Sequence, residues 1–256
     1  MDENRTNLKR PSILKSIVNK LSRNIGDDNE ALRSEYVKQA LLSLPRGESI
    51  LDAGAGWLRN KPYCSHLKYR SQDFCQYDGK GDGVALQNGD WDTSQIDIVS
   101  DITNIPVDDN SFDNVLCSEV LEHVPDPVAT LKELVRVLKP QGKLILTAPF
   151  LMPTHQTPYY FTSGFSKYWY SHHLQQLDCD ILELKSNGDF YSLLAQELRR
   201  LPFVYSQRGS SGSKAMLVLI SLLLVVLNKV QQKSKDSSDI SAYGFFCISI
   251  KKNGEV

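Results

Sequence analysis

Ile50-Leu51-Asp52-Ala53-Gly54-Ala55-Gly56 is the stretch from which the fold can be read. A short apolar run, too brief for a helix, leads straight into glycines. Glycine tolerates positive φ and lets the backbone pass close to a ligand at the exit of a first strand. A helix N-terminus beyond such a turn can hold a negative group on its free N–H groups. Taken alone, Gly54-Ala55-Gly56 reads equally well as a mere tight turn.

What surrounds this stretch alternates. Before it, residues 30 to 44 carry Leu32, Tyr36, Val37, Ala40, Leu41 and Leu44 on one helical stripe, ended by Pro45-Arg46-Gly47. After it come strand-like runs at 68–75, 96–100 and 112–118, a helix at 127–138 closed by Lys139-Pro140-Gln141-Gly142, and a strand at 143–148. Strands and helices in this order predict a parallel sheet with right-handed crossovers. Further on, the spacing predicts a helix over 163–177, a strand at 181–184, helices at 191–201 and 215–227 around a Gly/Ser-rich linker at 205–214, and a last strand at 243–250.

Carboxylates mark the strand ends. Asp52 precedes the glycines and could accept a hydrogen bond from a ligand amine. Asp73 lies 21 positions later, near the end of the second strand, where a carboxylate can take both hydroxyls of a ribose. Asp101 ends the third strand, and Ser111-Phe112-Asp113-Asn114-Val115-Leu116-Cys117-Ser118-Glu119-Val120-Leu121-Glu122-His123-Val124 spans the fourth and its exit. With Leu134-Val135-Arg136-Val137-Leu138-Lys139-Pro140-Gln141-Gly142 these motifs, in this order over residues 48 to 150, resemble the class I S-adenosylmethionine-dependent methyltransferase superfamily, in its ubiquinone/menaquinone-methyltransferase-like branch. A dinucleotide oxidoreductase fits poorly, since nothing marks a hydride-transfer site. Two positions depart from the family pattern. Leu58 stands where a third glycine is usual, and Gln141 replaces the first glycine of the Pro-Gly-Gly turn.

The resemblance implies an α/β, Rossmann-like doubly wound sheet of seven mostly parallel strands, the last antiparallel, with helices on both faces. It implies S-adenosyl-L-methionine as cofactor. Asp52, Gly54, Ala55 and Gly56 would line its methionine end, with Glu119 nearby; Asp73 would hold the ribose, and Asp101 and Ile102 would flank the adenine. It also implies a small-molecule acceptor, methylated at oxygen, and similarity around Gly164-Phe165-Ser166-Lys167-Tyr168-Trp169-Tyr170 tilts the acceptor towards a saccharide or lipid-linked glycan precursor. The alternative is a non-catalytic cofactor-binding or scaffold protein on the same fold.

An acceptor hydroxyl calls for a general base, and His155, just past the fifth strand, is the candidate; the other reading is a hydrogen-bonded loop histidine. His123 reads as structural. No metal is expected, because His172 and His173 are adjacent on a helix and point to different faces. The aromatic run Tyr159, Tyr160, Phe161, Phe165, Tyr168, Trp169 and Tyr170 reads as a lid or as packing.

The 29 basic and 30 acidic residues, net charge −1, give no global attraction to nucleic acid, and no nucleic-acid partner is expected. Five scattered cysteines without a C-x-x-C pair argue against a zinc cage or disulfide framework and suit a reducing compartment. Residues 1–26 form a basic extension, with Ile13, Leu14, Ile17, Val18 and Leu21 on one stripe. Residues 27–256 are then the catalytic domain, with a helical insertion at about 189–240. Its apolar run Ala215–Leu227, about 20 Å long as a helix, is short of the roughly 30 Å hydrocarbon core. Core burial, a homodimer contact and peripheral contact with the inner membrane surface are the expectations for it, in an otherwise cytoplasmic protein.

Overall fold

A computed structural model of the chain describes residues 25–83, 85–87, 89–207, 209 and 214–253. The basic amphipathic stripe expected at 13–21 lies outside the described residues. Two compact units emerge, one from residues 29–188 and 241–256, the other from residues 1–28 and 189–240.

The larger unit is built on seven strands: β1 (Ser49–Ala53), β2 (Lys68–Asp73), β3 (Ile98–Val99), β4 (Phe112–Ser118), β5 (Leu138–Pro149), β6 (Cys179–Asn187) and β7 (Gly244–Lys251). Their order across the sheet is β3-β2-β1-β4-β5-β7-β6. The first five are parallel, and β7 runs antiparallel to both β5 and β6. This is the mixed, doubly wound sheet expected. The order reverses between β1 and β4, and open α/β sheets bind ligands beyond the carboxyl ends of their strands at such a point.

Three helices belong to this unit: α1 (Asn29–Leu42), α2 (Pro127–Val137) and α3 (Lys167–Gln176). Asp126 caps α2 by accepting from the amides of Val128 and Ala129, and Pro127 at the first position sacrifices no intrahelical bond. The buried stripe Leu131, Leu134 and Val135 then packs on the sheet with Val115, Cys117, Leu144 and Leu146. On the opposite face Val37 and Leu41 of α1 meet Ile50, Leu116 and Ile145.

The larger corrections to the sequence reading lie late in the chain. Strand β5 begins at Leu138, because Leu138 pairs with Phe112 before the register shifts. Helix α3 is shorter than expected, starting at Lys167 behind the Ser166 cap. In the smaller unit, α4 (Phe190–Gln207) continues through Pro202 into the expected linker. Helix α5 runs the full Lys214–Lys233, 20 residues. Its polar end is held there, since Gln231 donates to Asp189 Oδ1 and Ser192 Oγ at 2.8 Å.

Candidate functional site

A cleft of about 560 Å³ opens at the carboxyl ends of β1, β2 and β4, lined by Gly54, Asp73, Asp101, Ile102, Glu119 and His123 among others. Gly54 sits at φ +73°, and a Cβ there would stand 2.4 Å from the Val120 side chain; Gly56 at φ +52° would meet Trp91 at 2.9 Å. No residue with a side chain could form this turn, which is the physical content of the two glycines.

Asp73 is buried at the cleft wall. Its Oδ2 accepts from the Gly56 amide at 2.9 Å and its Oδ1 from the Cys75 amide at 2.8 Å. It thus ties the glycine turn to the end of β2. Burial holds its carboxyl above the usual range despite these amides. Asp101 repeats the local device: its Oδ1 accepts from the Thr103 amide, again two residues on, and from the Thr103 hydroxyl. Such turns lift the chain off a strand end while leaving carboxylate lone pairs for a ligand. Ile102, buried, and the rings of Phe74, Tyr77, Trp91, Tyr159 and Phe161 complete the apolar walls.

Asp52 stands apart. It is fully buried, accepts from the Tyr69 hydroxyl at 2.8 Å, and does not line the cleft. Burial pushes its carboxyl up to about 6, against the hydrogen bonds from Tyr69 and Asn60. Its bond is to the neighbouring strand, so its role in the structure is to pin β1 to β2. Ala55 is likewise buried behind the turn rather than in the cleft wall.

At the other end of the cleft, Glu119 adopts the left-handed φ of +58° immediately after β4. Its Oε2 pairs with Arg33 of α1 at 2.9 Å, and its Oε1 accepts from the Thr147 hydroxyl at 3.0 Å. Beyond Glu119 lies a pocket of only about 30 Å³, lined also by Arg33, Met152, His155, Tyr243 and Phe246. His155 therefore borders this pocket and not the main cleft. Its Nδ1 donates to the Pro153 carbonyl at 3.0 Å.

His155 packs edge-on against His123, ring centroids 4.7 Å apart. His123 was read from the sequence as structural, yet it stands in the cleft wall. Its Nδ1 donates to the Tyr159 carbonyl at 2.6 Å, while its buried Nε2 has no hydrogen-bond partner. Glu122, fully buried, has no hydrogen-bond partner on either carboxylate oxygen and lies 3.6 Å from that Nε2. Burial, reinforced by Glu119, drives the Glu122 carboxyl well above its ordinary range. Burial and His155 bring the His123 imidazole down to about 4. Burial thus disfavours the charged form of both Glu122 and His123. One ligand atom from each of Glu122, His123 and His155 lies within 4.8 Å of the others, a set able to hold a small divalent cation. Sequence reasoning missed Glu122 and Arg33; the signal for Glu122 was a carboxylate inside an otherwise apolar strand exit.

The aromatic run divides between both of its expected roles. Tyr159 and Phe161 line the cleft, Phe165 and Tyr170 are core, and Tyr168 is exposed.

Residues 51–146 match the family model described as "Methyltransferase domain". The chain is 32% identical over 162 residues to a demethylmenaquinone methyltransferase of Corynebacterium glutamicum, covering 63% of this chain and 64% of that protein. It therefore spans just under two thirds of that relative's length. A ubiquinone biosynthesis O-methyltransferase of Xanthomonas oryzae pv. oryzae is 60% identical over 37 residues, 14% of this chain and 16% of the other. Among solved structures, a Galdieria sulphuraria protein described as a sarcosine dimethylglycine methyltransferase superposes with a TM-score of 0.51 at 18% identity, covering 88% of this chain and 85% of that one. The cyclase SpnF gives 0.52 at 15% identity, covering 86% and 82%. These two likenesses establish the fold.

Proposed function

Since residues 51–146 are a domain of the class I S-adenosylmethionine-dependent methyltransferase superfamily, we propose that the protein transfers a methyl group from S-adenosyl-L-methionine to an oxygen of a small acceptor. The observation that carries this reading is the set of acidic strand ends, Asp73, Asp101 and Glu119, brought to one cleft beside glycines that no Cβ could replace. The cleft fits the cofactor: Asp73 for the ribose hydroxyls, Asp101 and Ile102 for the adenine, Gly54 and Glu119 for the methionine end. When bound, the cofactor supplies an activated methyl on a sulfonium, so the protein's work is alignment and exclusion of water.

The acceptor would approach past Glu119, where His155 stands. His155 would take the hydroxyl proton on Nε2, with His123 packed against it and Glu122 keeping that wall free of water. The names of the relatives point to quinone-pathway intermediates, and the sequence around residues 164–170 points to a saccharide or lipid-linked glycan precursor. Of these we favour the lipid-linked saccharide. A pocket of about 30 Å³ holds no more than a water, so opening of the Arg33–Glu119 contact would precede acceptor entry.

One observation favours a non-catalytic reading. Both carboxylate oxygens of Asp73 are already engaged by backbone amides. Incubation with methyl-labelled cofactor and a panel of quinols, saccharides and lipid-linked saccharides decides between them. Label on a saccharide product upholds the full reading. Label on a quinol keeps the reaction and changes the acceptor. Micromolar cofactor binding, on the order of −8 kcal/mol, with no labelled product from any extract supports the non-catalytic protein.

A further inference from the structure

In the smaller unit, α4 and α5 pack on each other through Tyr191, Ala195 and Leu198 on one side and Ile220, Leu224 and Leu227 on the other, with Ile25 between them. This consumes a single stripe of α5: Ile220, Leu224 and Asn228, spaced four apart, are its buried residues. Other apolar positions of the helix face outward. Leu219, Leu222 and Val226 are exposed by 55 to 58%, and on α4 Phe203, Val204 and Tyr205 by 45 to 46%. Only 17% of the most apolar 18-residue window of α5 is buried. A continuous exposed apolar surface of this kind is a binding surface or a liability.

Charge identifies the occupant. Between Glu197 and Asp236 the sequence has no acidic residue and seven basic ones: Arg199, Arg200, Arg208, Lys214, Lys229, Lys233 and Lys235. Residues 189–240 hold seven basic and four acidic residues, a net charge of +3; the other 22 basic and 26 acidic residues of the chain give −4. The near-zero charge of the whole chain conceals this segregation. A second copy offering the same face would set +3 against +3. An anionic bilayer offers negative headgroups above hydrocarbon, complementary in both respects.

We infer that the α4–α5 face docks the protein on the surface of an anionic phospholipid bilayer, with α5 lying in the interfacial plane. The helix is about 30 Å long, but its apolar stretch Ala215–Leu227, broken only by Ser221, is only about 20 Å by the same rise. Lys214 and Lys229 at its two ends can extend their stems through the apolar layer to the headgroups. The inference stands on this unit's own surface and is independent of the methyl-transfer reading.

The full-length chain is sedimented with phosphatidylcholine vesicles, with or without one quarter phosphatidylglycerol, at low and physiological salt. The expected result is at least tenfold stronger partition onto the anionic vesicles, weakening as salt screens the cations. The variant L219D/L222D/V226D changes only exposed positions. It should lose that partition tenfold or more while binding S-adenosylhomocysteine, by calorimetry, as the unaltered chain does. Absence of partition onto anionic vesicles overturns the inference. So does a triple variant that still binds them, which would assign the contact to residues 1–24. A dimer on gel filtration that the triple variant dissolves, without vesicle binding, overturns it in favour of a second copy. Failure of both chains to bind the cofactor would count against the methyltransferase reading and leave the vesicle result standing.

Discussion

At one end of the cleft, Asp73 and Asp101 each accept the amide two residues further on, and their carboxylates remain at the cleft wall. At the other end, Glu122 is fully buried and His123 lines the cleft wall, with both Glu122 oxygens and His123 Nε2 buried and without a hydrogen-bond partner. The first arrangement is satisfied by backbone amides, those two residues on and, for Asp73, that of Gly56, and a carboxylate keeps further lone pairs for hydroxyl and amino groups. The second is long-range and unsatisfied, and an unpaired buried polar group costs stability. Proteins keep such groups where chemistry or binding requires them. On the proposed function, the end with Asp73 and Asp101 is the binding element and the histidine end the reactive one.

The largest expected effect lies at the histidine end. His155→Ala should lower turnover by about 10² to 10⁴, the usual range for a general base, and leave cofactor affinity unchanged. Normal turnover in that variant, with the defect appearing in His123→Ala instead, would move the base to the residue that lines the main cleft.

At the nucleotide end, Asp73→Ala should weaken cofactor binding by about 2 to 4 kcal/mol, two lost hydrogen bonds to a carboxylate, without altering the pH dependence of unfolding around His123. Unchanged affinity by calorimetry would break the assignment of this end.

A third test addresses burial of the histidine cluster. The folded-state value of His123, about 4, lies below the ordinary 6.5, so the unfolded chain binds the proton first. Its contribution is complete above pH 6.5 and is lost as pH falls towards 4, by about 3 kcal/mol. Glu122, raised by burial, acts in the opposite sense: its contribution is complete at acid pH and declines as pH rises above the ordinary carboxylate range. Urea unfolding at pH 7 and at pH 4.5, with His123→Asn flattening the acid loss, checks the sign. An acid loss that His123→Asn leaves intact would place its origin elsewhere.

The smallest effect concerns the two departures from the family's glycine pattern. Leu58 and Gln141 both adopt φ of +63°, the left-handed region that costs a side-chain residue about 1 to 2 kcal/mol. Leu58→Gly and Gln141→Gly should each be stabilising by up to about 1 kcal/mol, the remainder offset by glycine's greater unfolded-state freedom. Chemical denaturation measures this directly. A destabilised Leu58→Gly would indicate that its side chain supports the turn in ways the backbone does not reveal.

Much of this was legible before any coordinates. Strand ends, glycines and carboxylates near them are local features, and Gly54, Asp73, Asp101, Ile102 and Glu119 followed from their position in the strand–helix alternation. Asp52 had the right position but not the right direction: side chains alternate across a strand, and the residue at the tip of β1 turned to Tyr69. His123 and His155, 32 positions apart, carried no local mark of being neighbours.

The amino-acid sequence by itself thus determined the sheet, its winding and the glycines and carboxylates that line the cleft, because periodicity and turn chemistry act over a few residues. Tertiary structure alone decided that Glu122, His123 and His155 meet in a dry pocket, that Arg33 closes on Glu119, and that α5 buries one stripe and exposes the rest. Each of these depends on contacts between segments remote in the chain. Burial and its electrostatic consequences exist only once those segments are packed.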